Sequence, residues 1–366
     1  MRRALVCLFF LFACGDDDGA TDAGRDDAGA RDAGGRDAES PVDGGGSDAD
    51  DDAGAELDGG TGPTSVCPVG SDALELELDG VSLTRVSGVP IDDGFAPGFS
   101  IVEGPVFFDG ALHVSHFAGG STPASRVYRI ATTGEVTIAF SMAGTNGLAI
   151  GADGRLFGAS HVQGAVVRFD PASPSSAPTP VVTGFGGMRF NTPNDLVFRS
   201  DGQIYLSDPD WQAPSPRPQA QERAYRVDLE GNVTAIPGAP DKPNGVALSL
   251  DERTLFVTGT NGMRRFALAE DGAIAGEAEN VPAVSGGLDG IGRDCAGNLY
   301  VTGSDASGVD GVFVLSRDLA LIGTLPLSSA TNAAFGGSDR RTLYVTTLGT
   351  PPSLYAARLN VPGLPD

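Results

Sequence analysis

Six residues, Glu103, Asn146, Asn194, Asn244, Asp289 and Asn332, are oxygen donors that open one recurring phrase. The phrase is a polar turn, a short apolar strand, a tight turn and a second strand. It reads E-G-P-V-F-F-D-G-A-L-H-V-S-H from Glu103, N-G-L-A-I-G-A-D-G-R-L-F-G-A-S-H from Asn146 and N-D-L-V-F-R-S-D-G-Q-I-Y-L-S-D from Asn194. It returns as N-G-V-A-L-S-L-D-E-R-T-L-F-V-T, D-G-I-G-R-D-C-A-G-N-L-Y-V-T and N-A-A-F-G-G-S-D-R-R-T-L-Y-V-T. Asn and Asp favour the turn before a strand, but Glu has no such preference, so turn chemistry alone leaves Glu103 unexplained. Two carboxylates about 5 Å apart at an effective dielectric of about 20 repel by roughly 3 kcal/mol, and a bound dication would reverse that cost. The donor set holds no Cys or His, which points to a hard cation. Amide oxygens mixed with carboxylates suit Ca²⁺ better than Mg²⁺, which keeps more of its waters.

The elements that must position these donors follow from the spacing. The copies begin about 43 to 50 residues apart, the period of one propeller blade. Ser200-Asp201-Gly202 and its equivalents sit between β-rich runs and read as hairpin turns. Helical periodicity is absent, and Gly and Pro interrupt every candidate helix. The expected fold is all-β, a six-bladed β-propeller with the six donors converging at one mouth of its central channel. Residues 72–86, with alternating Leu74, Leu76 and Leu78, are expected as a strand on the last blade that closes the ring.

Further polar residues fall at matching places on the second strand of the first three copies: His116, His161 and Asp208. With Asn146 they form a candidate substrate-binding set or proton shuttles; the alternative for the two histidines is a satisfied structural role. His113 reads as structural. Phe185, Phe190 and Trp211 flank the third copy and are candidate pocket walls.

The phrases E-G-P-V-F, N-T-P-N-D-L-V, P-N-G-V-A-L-S-L-D, L-D-G-I-G and N-A-A-F-G-G-S-D-R-R-T-L-Y-V-T resemble the gluconolactonase branch of the senescence-marker-protein/gluconolactonase/luciferin-regenerating-enzyme family. The resemblance begins near Gly98 and runs to the C-terminus. It implies a six-bladed propeller with a divalent metal, usually Ca²⁺, in the channel. Its metal ligands fall on Glu103, Asn194, Asn244 and Asp289, and it suggests Asp289 as the general base. Leu288 stands where the family usually has Pro. Thr192 stands where some members carry a substrate-binding Arg, so their sugar-lactone specificity does not transfer.

Residues 1–13 are M-R-R followed by an apolar run too short to span a bilayer, as in a secretory signal peptide. Leu11-Phe12-Ala13-Cys14 resembles the bacterial lipobox, in which the cysteine is acylated, here Cys14. Residues 14–66 are Asp, Gly and Ala with scattered Arg and are expected to be a disordered tether. Residues 67–366 are expected as one folded unit. Of the remaining cysteines, Cys67 and Cys295 either pair or stay as separate thiols.

The net charge of −24 and the absence of a basic stripe argue against nucleic-acid binding. There is no G-x-S-x-G elbow and no phosphate loop or zinc spacing. The expected protein is therefore a monomeric, lipid-anchored, Ca²⁺-dependent hydrolase of a lactone or related ester, on the periplasmic or outer-membrane face of a bacterial envelope. The alternatives are a metal-stabilised propeller binding a glycan or protein, and a related phosphoesterase.

Overall fold

The recurring phrase folds, in every copy, into the first hairpin of a four-stranded antiparallel meander. In the computed structural model, residues 67–91 and 93–364 are described, and all fall in the unit Ala55–Asp366. The signal segment, Cys14 and the acidic tether lie outside the described residues.

The Glu103 copy builds Ser100–Phe108, Ala111–Ala118, Ser125–Ala131 and Val136–Phe140. Its hairpin turn is Asp109-Gly110, both at positive φ (47° and 70°), the geometry that a two-residue turn between twisted strands requires. The Asn146 copy builds Leu148–Ile150, Leu156–Ser160, Ala165–Arg168 and Thr179–Val182. The Asn194 copy builds Leu196–Phe198, Ile204–Asp208, Arg223–Val227 and Val233–Ile236. Val246–Leu248, Thr254–Gly259, Gly262–Ala267 and Glu279–Asn280 follow, then Gly286–Arg293, Leu299–Asp305, Asp310–Leu315 and Leu321–Pro326.

The Asn332 copy contributes Ala330–Gly336, Thr342–Gly349 and Leu354–Arg358, and its fourth strand is N-terminal: Thr84–Val86 pairs antiparallel with Leu354–Arg358. This meander meets the Glu103 meander through Ser100↔Gly349 and Ile101↔Leu348, so the two register as one eight-stranded sheet.

Packing, more than these two backbone pairs, joins the meanders. Each hydrophobic cluster lies between one meander and the next, as where Phe157, Leu206 and Tyr225 meet, or Met263, Leu288 and Phe313. The closing cluster puts Val102, Leu112 and Tyr128 of the Glu103 meander against Leu354 of the Asn332 meander. Burying one such side chain contributes about 1.5–3 kcal/mol, so a cluster of them outweighs the few hydrogen bonds at the seam. The result is an all-β, propeller-like closed cycle.

The expected strand over residues 72–86 is shorter than its alternation suggested. Ser71–Ala73 is a 3-10 turn, Leu74 is exposed, and only Thr84–Val86 pairs. Leu76, Leu78, Val81 and Leu83 nonetheless pack into the cluster under the Asn332 meander. Their alternation records burial, while the sheet edge offers backbone partners over three residues only. Cys67 and Cys295 form a disulfide, Cα atoms 5.6 Å apart. It fastens the start of this segment to the hairpin turn after Gly286–Arg293, where the Cys295 N–H also donates to the Pro362 carbonyl at 2.8 Å.

Candidate active site at the mouth of the cycle

Five of the six first-position residues enter their inner strands held by the second strand of their own meander; at Asp289 the register shifts between Leu288 and Ile291. The backbone N–H groups of Asn146, Asn194 and Asn244 donate to the carbonyls of Ala159, Ser207 and Thr258, each at 2.9 Å. Glu103 lies opposite Ser115 and Asn332 opposite Thr346.

The next residue then lies against the following copy. A β-carbon on Gly104 (φ +56°) would stand 2.5 Å from the Asn146 carbonyl oxygen. The Gly147 N–H donates to the Asn194 carbonyl at 2.6 Å and that of Gly245 to Asp289 at 3.3 Å. Gly290 lies under the Asn332 side chain, and Thr331 Oγ1 donates to the Val102 carbonyl at 2.8 Å. The six donors thus follow one another in chain order around a closed circuit.

A buried hydroxyl recurs at one place on every second strand: Ser115, Ser160, Ser207, Thr258, Thr302 and Thr346. Several of these tie neighbouring copies together. Thr258 Oγ1 donates to the Asp289 carbonyl, and Thr302 Oγ1 donates to the Thr331 carbonyl at 2.7 Å. Ser115 Oγ bonds Thr145 Oγ1 at 3.2 Å. In the sequence this hydroxyl repeats as V-S-H, A-S-H, L-S-D, V-T-G, V-T-G and V-T-T, one position before His116, His161 and Asp208 in the first three copies.

Within the circuit Glu103, Asn244, Asp289 and Asn332 meet side chain to side chain. The Glu103 and Asp289 carboxyls act on one another's ionisation, with the Asn332 amide beside Glu103 and the Asn244 amide beside Asp289. Glu103 Oε2 also accepts the Gly104 N–H at 2.8 Å, and Asn332 Oδ1 accepts the Ala333 N–H at 2.8 Å. Burial is the main cause that raises both carboxyls, Glu103 to about 7 and Asp289 well above the usual carboxylate range. The charge of Asp195 raises both further, and the Gly104 bond opposes the shift on Glu103.

Asp195 was not among the sequence candidates. It stands where other copies carry Gly or Ala after the donor, and that exchange was its signal. Its Oδ1 accepts the Leu196 N–H at 2.9 Å and Oδ2 the Val246 N–H at 3.2 Å, so it ties the third copy to the fourth. Asn194, the preceding donor, is 5% exposed.

The donor set passes a chemical test for a hard dication. The charges raising the two carboxyls are other carboxylates, and Asp289 Oδ1 is buried without a hydrogen-bond partner. Every available donor atom is oxygen, a set that suits Ca²⁺. Among the described residues no three His, Cys, Asp or Glu side chains are grouped as a metal site; the set here is two carboxylates completed by amides.

The remaining candidates take distinct places. His116 is buried inside the first meander, with Nδ1 against Tyr128 Oη at 3.0 Å and Nε2 against Ser100 Oγ at 3.1 Å. His113 is buried beside Phe108. Asp208 accepts the N–H groups of Asn191 and Thr192 at 2.9 and 2.7 Å and so shapes the turn that delivers Asn194. His161 Nε2 donates to the Pro123 carbonyl at 2.8 Å, and its Nδ1 is buried without a partner. Phe185 and Phe190 pack on Tyr225, while Trp211 is half-exposed under the Lys242 ammonium.

Repeated antiparallel meanders, each packed on the next, with paired carboxylates and amides at the start of their first strands, make an all-β, propeller-like fold with an oxygen-donor centre. The SMP-30/Gluconolactonase/LRE-like region matches residues 103–349, and the chain belongs to that family. It is 28% identical over 227 residues to a gluconolactonase of Zymomonas mobilis, covering 57% of this chain and 62% of that one. It is 29% identical over 169 residues to the pentonolactonase XacC of Haloferax volcanii, covering 43% of this chain and 53% of that one. The chain thus spans between half and two thirds of the length of these two relatives. A solved gluconolactonase from Xanthomonas campestris superposes with a TM-score of 0.61 at 27% identity, over 76% of this chain and 94% of that one.

Proposed function

We propose that the chain is a divalent-cation-dependent lactonase working at the mouth of a six-bladed propeller. Interfaces between successive meanders, the last back to the first, support the blade count. The observation that carries the activity is the Glu103–Asp289 pair, Glu103 buried and Asp289 half-buried with its Oδ1 enclosed, beside the charge of Asp195 in a chain of this family.

Glu103, Asn194, Asn244 and Asp289 would hold the cation, with Ca²⁺ the best match to their oxygens. When bound, the cation supplies Lewis acidity to a lactone carbonyl. In the loaded site Asp289 is ionised. It takes a proton from the attacking water and returns it to the ring oxygen as the acyl–oxygen bond breaks, leaving a hydroxy acid. The Gly245 N–H and Thr258 Oγ1 donate to the Asp289 carbonyl and hold its backbone in place. Asn146 and His161 are the substrate contacts, with Asp208 acting through the Asn191–Thr192 turn. Hydrolysis of a lactone and ester panel, with Ca²⁺ and with a chelator, tests this reading.

The acidic tether and lipobox support a second proposal, that Cys14 carries an anchor holding the domain at a bacterial envelope. In a bacterial host, Cys14→Ser should move the protein from the membrane to the soluble fraction. A wild type found wholly in the soluble fraction contradicts it.

A further inference from the structure

Lys242 is the only lysine in the chain and Trp211 the only tryptophan; every other side-chain base that is charged at neutral pH is arginine. The fold brings the two together, the ammonium 4.3 Å from the indole centroid, in reach of a cation–π contact. Trp211 lies on residues 209–222, the loop that joins Ile204–Asp208 to Arg223–Val227 in the Asn194 meander. Lys242 lies in the next meander, in the turn before Asn244.

Asp210 and Glu222 stand at the two ends of that loop, and Lys242 holds both. Its ammonium pairs with Asp210 and, at 3.7 Å, with Glu222 Oε1, and its backbone N–H donates to Glu222 Oε2 at 3.2 Å. Arg217, from the middle of the loop, spans the same two acids at 2.9 and 3.2 Å. The loop ends also build the turn that delivers Asn194. Thr192 Oγ1 donates to the Pro209 carbonyl at 3.0 Å, and Asn191 Nδ2 donates to the Gln221 carbonyl at 3.2 Å. The Gln219 N–H donates to Asn191 Oδ1 at 2.8 Å. Farther out, the Gln212 carbonyl accepts the Thr122 N–H at 2.8 Å. One ammonium thus joins the turn before Asn244 to the base of the turn before Asn194.

The backbone at Lys242 is a second observation. Its φ is +45°, in the left-handed region where Gly or Asn is the usual occupant and other side chains are strained. Local demands alone favour one of those two, so the contacts of the lysine are what offset the strain. Pro243, with its fixed φ, is the one residue between Lys242 and Asn244 and leaves little slack. Isolated surface ion pairs contribute little, but four charges sharing partners form a network.

We propose that Lys242 is a positioning residue for the oxygen-donor centre: it clamps the turns that deliver Asn194 and Asn244 at one separation, and Trp211 registers cation binding through it. The clamp rests on the cation reading of the site and is independent of the substrate.

The test is calorimetric titration with Ca²⁺ of wild type, Lys242→Asn and Lys242→Arg. Asparagine suits the positive φ and removes the charge, so the turn stays and the clamp goes. Ca²⁺ affinity should fall about three- to tenfold in Lys242→Asn, the scale of a part-exposed ion-pair network, and return to within about twofold of wild type in Lys242→Arg. Trp211 emission should shift on Ca²⁺ addition in wild type and Lys242→Arg and stay fixed in Lys242→Asn. A role confined to turn stability would move the melting temperature and neither of these readings. Wild-type affinity in Lys242→Asn, or Trp211 emission indifferent to Ca²⁺ in wild type, overturns the proposal and leaves the cation site standing.

If Lys242→Asn does not melt cooperatively, Asp210→Asn combined with Glu222→Gln removes the acidic half of the clamp. The same loss of affinity is then required, and wild-type affinity overturns the proposal. If wild type binds no Ca²⁺, the cation reading fails, and amide hydrogen exchange in the metal-free proteins decides the clamp alone. Faster exchange at Thr192, Asn194 and Asn244 in Lys242→Asn, restored in Lys242→Arg, supports it. Unchanged exchange overturns it.

Discussion

The side chain of Asn332 lies so close over Gly290 that a β-carbon there would stand 2.0 Å from both Asn332 Cγ and Oδ1. Gly290 follows Asp289, and the Asn332 side chain lies beside Glu103, so this contact couples the packing of the Asp289 strand to the neighbour of the other carboxylate. Gly290 lies outside the positive-φ glycines, which makes the requirement one of space.

Gly290→Ala should therefore displace Asn332 and loosen the pair without refolding the strand. Overpacking of this kind typically costs about 1–3 kcal/mol. The expected result is a lower melting temperature together with weaker Ca²⁺ affinity, by calorimetric titration. A variant that keeps wild-type affinity and stability contradicts the placement of Asn332.

The pH dependence of the metal-free protein follows from the raised carboxyls. Burial holds Glu103 up to about 7 and Asp289 well above its usual range, both above the values they take in an unfolded chain. A raised carboxyl favours the folded state while it stays protonated, so its contribution is fullest below the unfolded value near 4.5 and is lost as pH rises through the folded one. Metal-free protein should lose thermal stability from about pH 4.5 to about 7, and Glu103→Gln should flatten that slope. Ca²⁺ competes with the same protons, so its affinity should rise over the window. A melting temperature insensitive to pH there, in both proteins, counts against the buried pair.

Glu103 and Asp289 have separable duties. Asp289→Asn keeps an oxygen for Ca²⁺ but cannot accept a proton at neutral pH, and losing a general base typically costs about 10²–10⁴ in rate. That loss should persist at Ca²⁺ concentrations giving full occupancy. Glu103→Gln should weaken Ca²⁺ binding, with activity recovering as Ca²⁺ is raised. Equal, Ca²⁺-reversible losses in both variants would remove Asp289 from the role of base.

The sequence carried what repetition can carry. D-G and S-D-G turns mark the hairpins because their backbone demands are local, and six similar phrases expose the donors by alignment with one another. Asp195 departs from the repeat, so its link to Val246 emerged only from the packing of one copy on the next. Gln212 lies in an irregular loop, and its place depends on Thr122, far away in the chain. Alternation at Leu76 and Leu78 signalled burial correctly, but it could not tell whether a partner strand ran alongside. His116 and His161 occupy equivalent positions, yet Ser100 and Tyr128 bond both nitrogens of one, while Pro123 bonds a single nitrogen of the other.

Acid release from a panel of lactones, followed in one sample through Ca²⁺ loading, chelation with EGTA and reloading, tests the central claim most directly. Turnover of at least one lactone that is lost on chelation and restored by Ca²⁺ is the predicted result. Turnover unaffected by chelation, or no turnover of any lactone by Ca²⁺-loaded protein, would contradict it.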